Sequence, residues 1–163
     1  MRENSIIEFK PIGVIRSPFK EPEGTPIQPV GAVNSKGRVE LSEEYEEGLK
    51  GLEGFSHIIL LYFFHAIEGY SLKVVPFLDE VEQGVFATRA PKRPNAIGLS
   101  IVKLDRIEKN ILYVENIDIL DGTPLLDIKP YASVFDNVEF ERNGWLSKSL
   151  HYAYSKRADN RFN

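Results

Sequence analysis

A short loop rich in proline and positive charge carries the residues of this chain that are best suited to binding chemistry. It places Arg89, Lys92 and Arg93 around Pro91 and Pro94, between two apolar runs. Each proline fixes its own φ and biases the residue before it toward extended geometry, so we expect a stiff loop. Cations on a stiff loop suit an anionic ligand, because little conformational entropy is lost on binding. An ordinary basic surface turn accounts for the same composition.

Acidic residues and a histidine follow two of the apolar runs. Asp121 forms an Asp-Gly pair with Gly122, and Asp118 precedes this pair while Asp127 follows it. Such carboxylates can bind ribose hydroxyls, balance a cationic ligand or accept a proton, and a tight turn also explains them. His65 ends the run that begins at His57, and its ring either contacts a ligand or makes a hydrogen bond at the strand edge.

Composition excludes several classes of site. There are no cysteines, which rules out disulfides, zinc-thiolate sites and cysteine nucleophiles. The three histidines lack the paired spacing of metal ligands, so we expect no metal. The usual nucleotide-binding signature, a glycine-rich phosphate loop, is also missing. The net charge of −4 argues against a protein that coats nucleic acid nonspecifically. The longest apolar run is too short for a membrane span, and the N-terminus lacks an export signal.

Short runs of β-branched and aromatic residues dominate the chain. They predict strands at 9–16, 38–41, 57–65, 84–87, 99–104 and 111–120, with helices only after Ser42 and over 146–154. We therefore predict a mainly β (α+β) fold, a barrel or sandwich of short strands with a few short helices, and no Rossmann-like sheet. Run 57–65 is apolar on both alternating faces, which predicts a strand buried on both sides.

Five motifs in order along the chain resemble the TsaA or TrmO family of S-adenosylmethionine-dependent tRNA methyltransferases. The matching stretches are 12–19 (IGVIRSPF), 52–57 (LEGFSH), 84–95 (GVFATR running into RPN), 97–100 (IGLS), and 121–131 (DGTP followed by DIKPY). The resemblance implies a single-domain β-barrel, expected over residues 5–135, and a homodimer in the cytoplasm. It also implies N6-methylation of threonylcarbamoyl-adenosine beside the anticodon of tRNA, with S-adenosylmethionine as the cofactor.

The resemblance also implies a cofactor site. Its residues would be Pro26, Ile27, Gln28, His65, Ala66, Arg89, Leu99, Asp118, Ile119, Leu120, Asp121 and Gly122. Ile27 stands where many members carry Arg, and Ala66 where many carry Gln. We further predict that Asp121, or a nearby backbone carbonyl, accepts the N6 proton, from its position beside the cofactor loop. Lys92 and Arg93 are predicted as contacts to RNA phosphates.

Two other functions stay open from the sequence. One is a methyltransferase of the same fold acting on another small acceptor, and the other is a non-catalytic S-adenosylmethionine-binding or nucleotide-binding module. The basic and aromatic C-terminal extension, residues 136–163, is compatible with a dimer arm, an RNA contact or disorder.

Overall fold

The computed structural model of the protein describes residues 6–162 and consists mainly of short strands. The predicted domain start at residue 5 and the final residue of the predicted extension lie outside the described residues. The strands are β1 (Gly13–Arg16), β2 (Lys36–Leu41), β3 (His57–Phe63), β4 (Lys73–Val74), β5 (Gln83–Gly84), β6 (Ile97–Glu108), β7 (Ile111–Glu115) and β8 (Thr123–Pro130).

Six of the strands close into an antiparallel barrel in the order β1-β2-β7-β6-β3-β8. Strand β3 lies between β6 and β8, with Leu61 opposite Leu99 on one side and opposite Asp127 on the other. The remaining strands, β4 and β5, form a separate two-stranded sheet. The predicted barrel is confirmed, and the sandwich alternative is wrong because the first and last barrel strands pair with each other.

The barrel interior is filled by the side chain of every second residue along each strand. Closure turns one face of each strand inward, so the core consists of aliphatic residues such as Ile15, Val39, Leu60, Val102 and Leu112, all fully buried. The prediction that run 57–65 is buried on both faces is wrong for the same reason. Residues 59 and 61 point outward and are half-buried, and Phe63 is 43% exposed.

Several strand predictions differ from the structure, and the predicted strand 9–16 begins only at Gly13. The predicted strand 84–87 is a two-residue strand followed by the 3-10 helix Val85–Ala87. The predicted strand 111–120 ends at Glu115, because Asn116 turns the chain at a φ of 62°. Strand β8 was missed because prolines at 124 and 130 argue against a strand. Pro124 is accommodated because pairing with β3 begins only at Leu125.

Helical segments are short and mostly of the 3-10 type. The helix predicted after Ser42 is the 3-10 helix Glu43–Leu49, and Leu49 packs into the core. The predicted helix over 146–154 is present as two 3-10 helices, Gly144–Lys148 and Leu150–Tyr154. Other helical pieces are Pro29–Gly31, Leu52–Gly54, Asn160–Phe162 and the four-residue α1, Ser133–Asp136. Within residues 6–162, no helix is long and apolar enough to cross a membrane.

Candidate active site

A cavity of about 340 Å³ opens at the end of the barrel where β3 finishes and β6 begins. Every residue predicted for the cofactor lines it except Asp121 and Gly122. Arg93, predicted as an RNA contact, also lines it, and so do further residues, among them Tyr62, Thr88, Gly98, Phe77, Ala158, Asp159 and Phe162. The barrel therefore brings together loops 25–28, 65–67, 88–93 and 118–120, which are far apart in the chain.

A chain of three hydrogen-bonding side chains reaches the cavity from the core. The Ser100 hydroxyl donates to Oδ1 of Asp118 at 2.7 Å, and the Tyr62 hydroxyl lies 3.0 Å from Ser100 Oγ. Since a hydroxyl has one proton, Ser100 accepts from Tyr62 while it donates to Asp118. Tyr62 and Ser100 are buried, whereas Asp118 keeps part of its surface open to the cavity.

The surroundings of Asp118 change its acidity. Burial raises the pKa of the Asp118 carboxyl to about 6, although the hydrogen bond from Ser100 and the positive charge of Arg89 both act in the opposite direction. Burial also raises the pKa of Tyr62, and the neighbouring Asp118 charge adds to this, so Tyr62 stays a proton donor. A carboxyl that titrates near neutral pH in a cavity is suited to acid–base chemistry.

Arg89 projects from the proline-rich loop at the mouth of the cavity. Its Nη1 donates to Oε1 of Gln28 at 2.8 Å, which joins the two predicted cofactor segments. The loop is held by local bonds: the Thr88 hydroxyl donates to the Val85 carbonyl at 2.8 Å and accepts from the Ala90 amide at 3.2 Å. The guanidinium of Arg89 is exposed and oriented by Gln28, an arrangement suited to a carboxylate or phosphate.

The other two cations of this loop differ in their contacts. Nη1 of Arg93 donates to the carbonyls of Val85, Thr88 and Ala90, at distances of 3.1, 2.8 and 3.3 Å. Arg93 therefore holds the loop together, which gives a physical basis for its expected stiffness. The Lys92 side chain has no hydrogen-bond or ion-pair partner within residues 6–162, so its charge is available to a ligand. Lys92 does not line the cavity.

His65 lies at the cavity rim beside Thr123. The Thr123 hydroxyl donates to the Leu120 carbonyl at 2.7 Å, so Nδ1 of His65, at 3.3 Å from Thr123 Oγ1, must be the donor in that contact. In the neutral ring, Nε2 is then left as an acceptor. His65 thus adds a second oriented acceptor to the rim, along with the carboxylate of Asp118.

Asp121 lies outside the cavity lining and is fully engaged elsewhere. Its Oδ2 is 2.7 Å from Nζ of Lys20, and its Oδ1 accepts from the Ser17 amide at 3.0 Å. The Lys20 contact lowers the pKa of the Asp121 carboxyl, so it is a weaker base than Asp118. Gly122, at a φ of 77°, forms the turn into β8. The geometry therefore favours Asp118 over Asp121 for accepting a proton.

A larger apolar cavity, of about 740 Å³, adjoins the first and shares Gln28 and Arg89 with it. Its walls include Phe86, which is 74% exposed, and Trp145. The indole Nε1 of Trp145 donates to the Ala87 carbonyl at 2.8 Å, which fixes the ring beside the cationic loop. This second cavity thus offers aromatic surface next to the polar mouth of the first.

The model of the tRNA-methyltransferase O N-terminal domain matches residues 14–137, more than half of the chain. The chain belongs to the tRNA-methyltransferase O family. The family resemblance inferred from the five motifs is thus confirmed.

Individual relatives of the TrmO family agree with this membership. A probable S-adenosyl-L-methionine-binding protein of Pyrococcus abyssi is 53% identical over 96% of this chain and 85% of its own length. The crystal structure of TrmO from Pseudomonas aeruginosa has a TM-score of 0.74 and 44% identity, covering 86% of this chain and 62% of that one. The human tRNA (adenine(37)-N6)-methyltransferase is 41% identical over 78% of this chain, which spans only 31% of the human protein.

Proposed function

We propose that this TrmO-family chain transfers the methyl group of S-adenosylmethionine to N6 of threonylcarbamoyl-adenosine beside the anticodon of tRNA. The observation that carries the proposal is the cavity at the barrel end, where ten residues predicted for the cofactor meet. The names of the relatives, an S-adenosyl-L-methionine-binding protein and tRNA (adenine(37)-N6)-methyltransferases, support it.

The residues around the cavity fit the chemical groups of S-adenosylmethionine. Arg89, held by Gln28, would bind its carboxylate, and the apolar side chains of Ile27, Leu99 and Leu120 would pack on its adenosine. When bound, S-adenosylmethionine supplies an electrophilic methyl group on a sulfonium. The protein contributes by holding the acceptor nitrogen in line with that methyl group and by excluding water.

Asp118 is the group we propose as the proton acceptor, in place of Asp121. The acceptor nitrogen is flanked by the purine ring and a carbamoyl carbonyl, so its lone pair is delocalised and its proton must be removed. The N6–H electron pair forms the new N6–carbon bond, the carbon–sulfur pair stays on sulfur as a neutral thioether, and the proton passes to the Asp118 carboxylate. The Tyr62–Ser100 chain orients that carboxylate from behind.

The acceptor base and its tRNA have surface suited to them beside the cavity. Phe86 and Trp145 offer aromatic faces on which an unstacked loop base would lie, and Lys92 offers a charge for a phosphate. Arg93 keeps the loop rigid through Nη1, and its other guanidinium nitrogens would contact an RNA phosphate. A tRNA substrate implies that the protein acts in the cytoplasm.

We also propose that the protein acts as a homodimer through the outer face of β3 and β6. Three cross-strand pairs form this outer apolar face: Ile59 with Ile101, Leu61 with Leu99, and Phe63 with Ile97. Phe63 is 43% and Leu99 44% exposed, and the Asp127–Lys129 ion pair of β8 borders the face beside Leu61 and Ile59. An apolar sheet surface of this kind is suited to burial against a second copy. Because Leu99 also lines the cavity, a partner would lie beside the cofactor.

The proposed reaction is tested by methyl incorporation from labelled S-adenosylmethionine into tRNA. The expected result is incorporation into tRNA that bears the threonylcarbamoyl group and none into the same tRNA without it. Incorporation into a small molecule instead would favour the alternative methyltransferase, and the absence of S-adenosylmethionine binding by calorimetry would remove the enzyme function altogether.

A further inference from the structure

The C-terminal segment of the chain folds back over the cavity, although it follows the residues matched by the family model. Ala158, Asp159 and Phe162 line the cavity together with the predicted cofactor residues. We propose that residues 158–162 form one wall of the S-adenosylmethionine cavity and that Arg161 is the positioning residue that holds this wall in place. This inference rests on the proposed cofactor site, and it adds a structural element that the five motifs do not include.

Backbone hydrogen bonds attach the wall to the segment that precedes the predicted cofactor loop. The Ala158 amide donates to the Thr25 carbonyl at 2.8 Å, and the Gly24 amide donates to the Ala158 carbonyl at 2.9 Å. Pro26 and Arg157 form an antiparallel bridge at the same place. A displacement of the wall would therefore also displace loop 26–28, which carries Gln28, the partner of Arg89.

Arg161 uses its guanidinium to connect the wall to loop 75–77. Its Nε and Nη2 donate to the two carboxylate oxygens of Asp159 at 2.8 and 2.7 Å, and its Nη1 donates to the Pro76 carbonyl at 2.7 Å. The guanidinium also lies 5.1 Å from the centre of the Phe77 ring. The planar guanidinium makes two parallel hydrogen bonds to a carboxylate and a third to a carbonyl. It therefore holds the wall and loop 75–77 in one relative position, which a lysine ammonium would not do.

This pairing also defines what Asp159 does in the cavity. The Arg161 contact lowers the pKa of the Asp159 carboxyl, and both of its oxygens are occupied. Asp159 is thus a support for Arg161, and Asp118 is the acid of the cavity lining that remains open to a ligand.

Phe162 supplies the apolar surface of the wall. It is only 6% exposed and packs edge-to-face on Phe77, with ring centres 5.0 Å apart. It belongs to a small apolar cluster with Val74, Val85 and Ala90, which supports the cationic loop from below. The wall and the loop that carries Arg89 therefore share one packed base.

The part of the C-terminal segment around Ala153 and Tyr154 packs directly against Gly31. A side chain at Gly31 would approach the carbonyl of Ala153 to 2.9 Å and that of Tyr154 to 3.3 Å, so only glycine allows this approach. The segment is thus fixed at two separate places, by Gly31 and by Arg161. These two contacts hold the wall in position before any ligand binds, so less conformational entropy is lost on binding.

The test compares S-adenosylmethionine binding by calorimetry for the full-length protein and three variants. We expect Arg161→Ala and Phe162→Ala to weaken the affinity about ten-fold or more, because one side of the cavity then opens to water. Arg161→Lys should fall between them and the unmodified protein, since it keeps the charge but loses the paired bonds. Arg142→Ala is the matched control, because it removes the same charge from an exposed position in the same segment.

Hydrogen exchange gives a second measurement that does not depend on turnover. Bound S-adenosylmethionine should slow exchange of the backbone amides of residues 158–162, and thermal melting without ligand identifies any variant that fails to fold. Equal affinity of the unmodified protein and both alanine variants, or unchanged exchange in the wall, would overturn this proposal alone. Failure of the unmodified protein to bind S-adenosylmethionine would overturn the proposed function and the wall with it.

Discussion

Replacement of Asp118 by asparagine should reduce activity and increase stability at the same time. If its carboxylate takes the N6 proton, Asp118→Asn should lower turnover about 100-fold or more, the usual loss when a general base is removed. Affinity for S-adenosylmethionine should change much less, because asparagine keeps the shape and still accepts the Ser100 hydroxyl through its amide oxygen. Asp127→Asn, on the outer face of β8 and paired with Lys129, is the matched control.

The expected gain in stability follows from the pKa. A rise from the ordinary value of 3.8 to about 6 corresponds to about 3 kcal/mol of unfavourable free energy for the ionised carboxyl in the folded state. The folded protein holds this proton more tightly than the unfolded chain, so the cost is absent below about pH 4, grows as the pH rises, and is complete above about pH 6. The asparagine amide needs its own acceptor, which reduces the expected gain at pH 7.5 to about 1 to 3 kcal/mol.

Two assays measure these effects. Urea unfolding should show a more stable variant at pH 7.5 and no gain in stability at pH 4, where the carboxyl of the folded protein is protonated and most of the cost is absent. The methyl-transfer rate of the unmodified protein should rise about ten-fold between pH 5 and pH 7.5, because only about a tenth of Asp118 is ionised at pH 5. Arg89 is the charged group that acts on Asp118, and burial and the Asp118 charge in turn raise the pKa of Tyr62, so Tyr62 stays a proton donor in this range. The variant His65→Gln separates the contribution of the rim histidine.

Two results would refute this reasoning. Full turnover by Asp118→Asn would exclude the carboxylate as the proton acceptor, and a simultaneous loss in Asp121→Asn would restore the original assignment from the sequence. A decrease in stability of Asp118→Asn at pH 7.5 would show that the carboxylate is stabilised in the fold, contrary to the effect of its burial.

Three further predictions concern binding and assembly. Arg89→Ala should weaken S-adenosylmethionine binding in calorimetry, whereas Lys92→Ala should mainly weaken tRNA binding and flatten its salt dependence; the reverse pattern would overturn this division. Gly98→Ala should lower turnover and the melting temperature together, since a side chain there would overlap the Tyr62 ring, and a fully active variant would contradict the close packing. Phe63→Lys should give monomers in light scattering at micromolar concentration, and an unchanged mass would exclude the outer apolar face as the dimer contact.

The sequence predicted a mainly β fold because its strands show their type locally, whereas the choice of a barrel over a sandwich came from the family resemblance. Short runs of β-branched and aromatic residues between turn residues were enough to find β1, β2, β3, β6 and β7, although not their lengths. Strand β8 could not be found in this way, because its pairing with both β1 and β3 is a long-range effect that overrides two prolines. The outward face of β3 also depends on closure, since an apolar strand in a barrel has only one inner side.

Site residues that belong to the sequence motifs could be predicted. Site residues that reach the cavity only through contacts between distant segments could not. The loop with Arg89 was visible as a cluster of charge and proline, but the use of Arg93 as an internal support depends on three carbonyls placed by folding. Tyr62 and Ser100 were visible as polar residues on inward positions of apolar strands, a signal that marks a buried hydrogen bond. Nothing in the sequence indicated that Phe162 reaches the cavity.

The most direct measurement of the central claim is mass spectrometry of nucleosides released from tRNA after incubation with the protein and S-adenosylmethionine. We predict one added methyl group on the threonylcarbamoyl-adenosine beside the anticodon, formed by the unmodified protein and almost absent with Asp118→Asn. A methyl group on any other nucleoside, or none on tRNA that carries the threonylcarbamoyl group, would contradict the account.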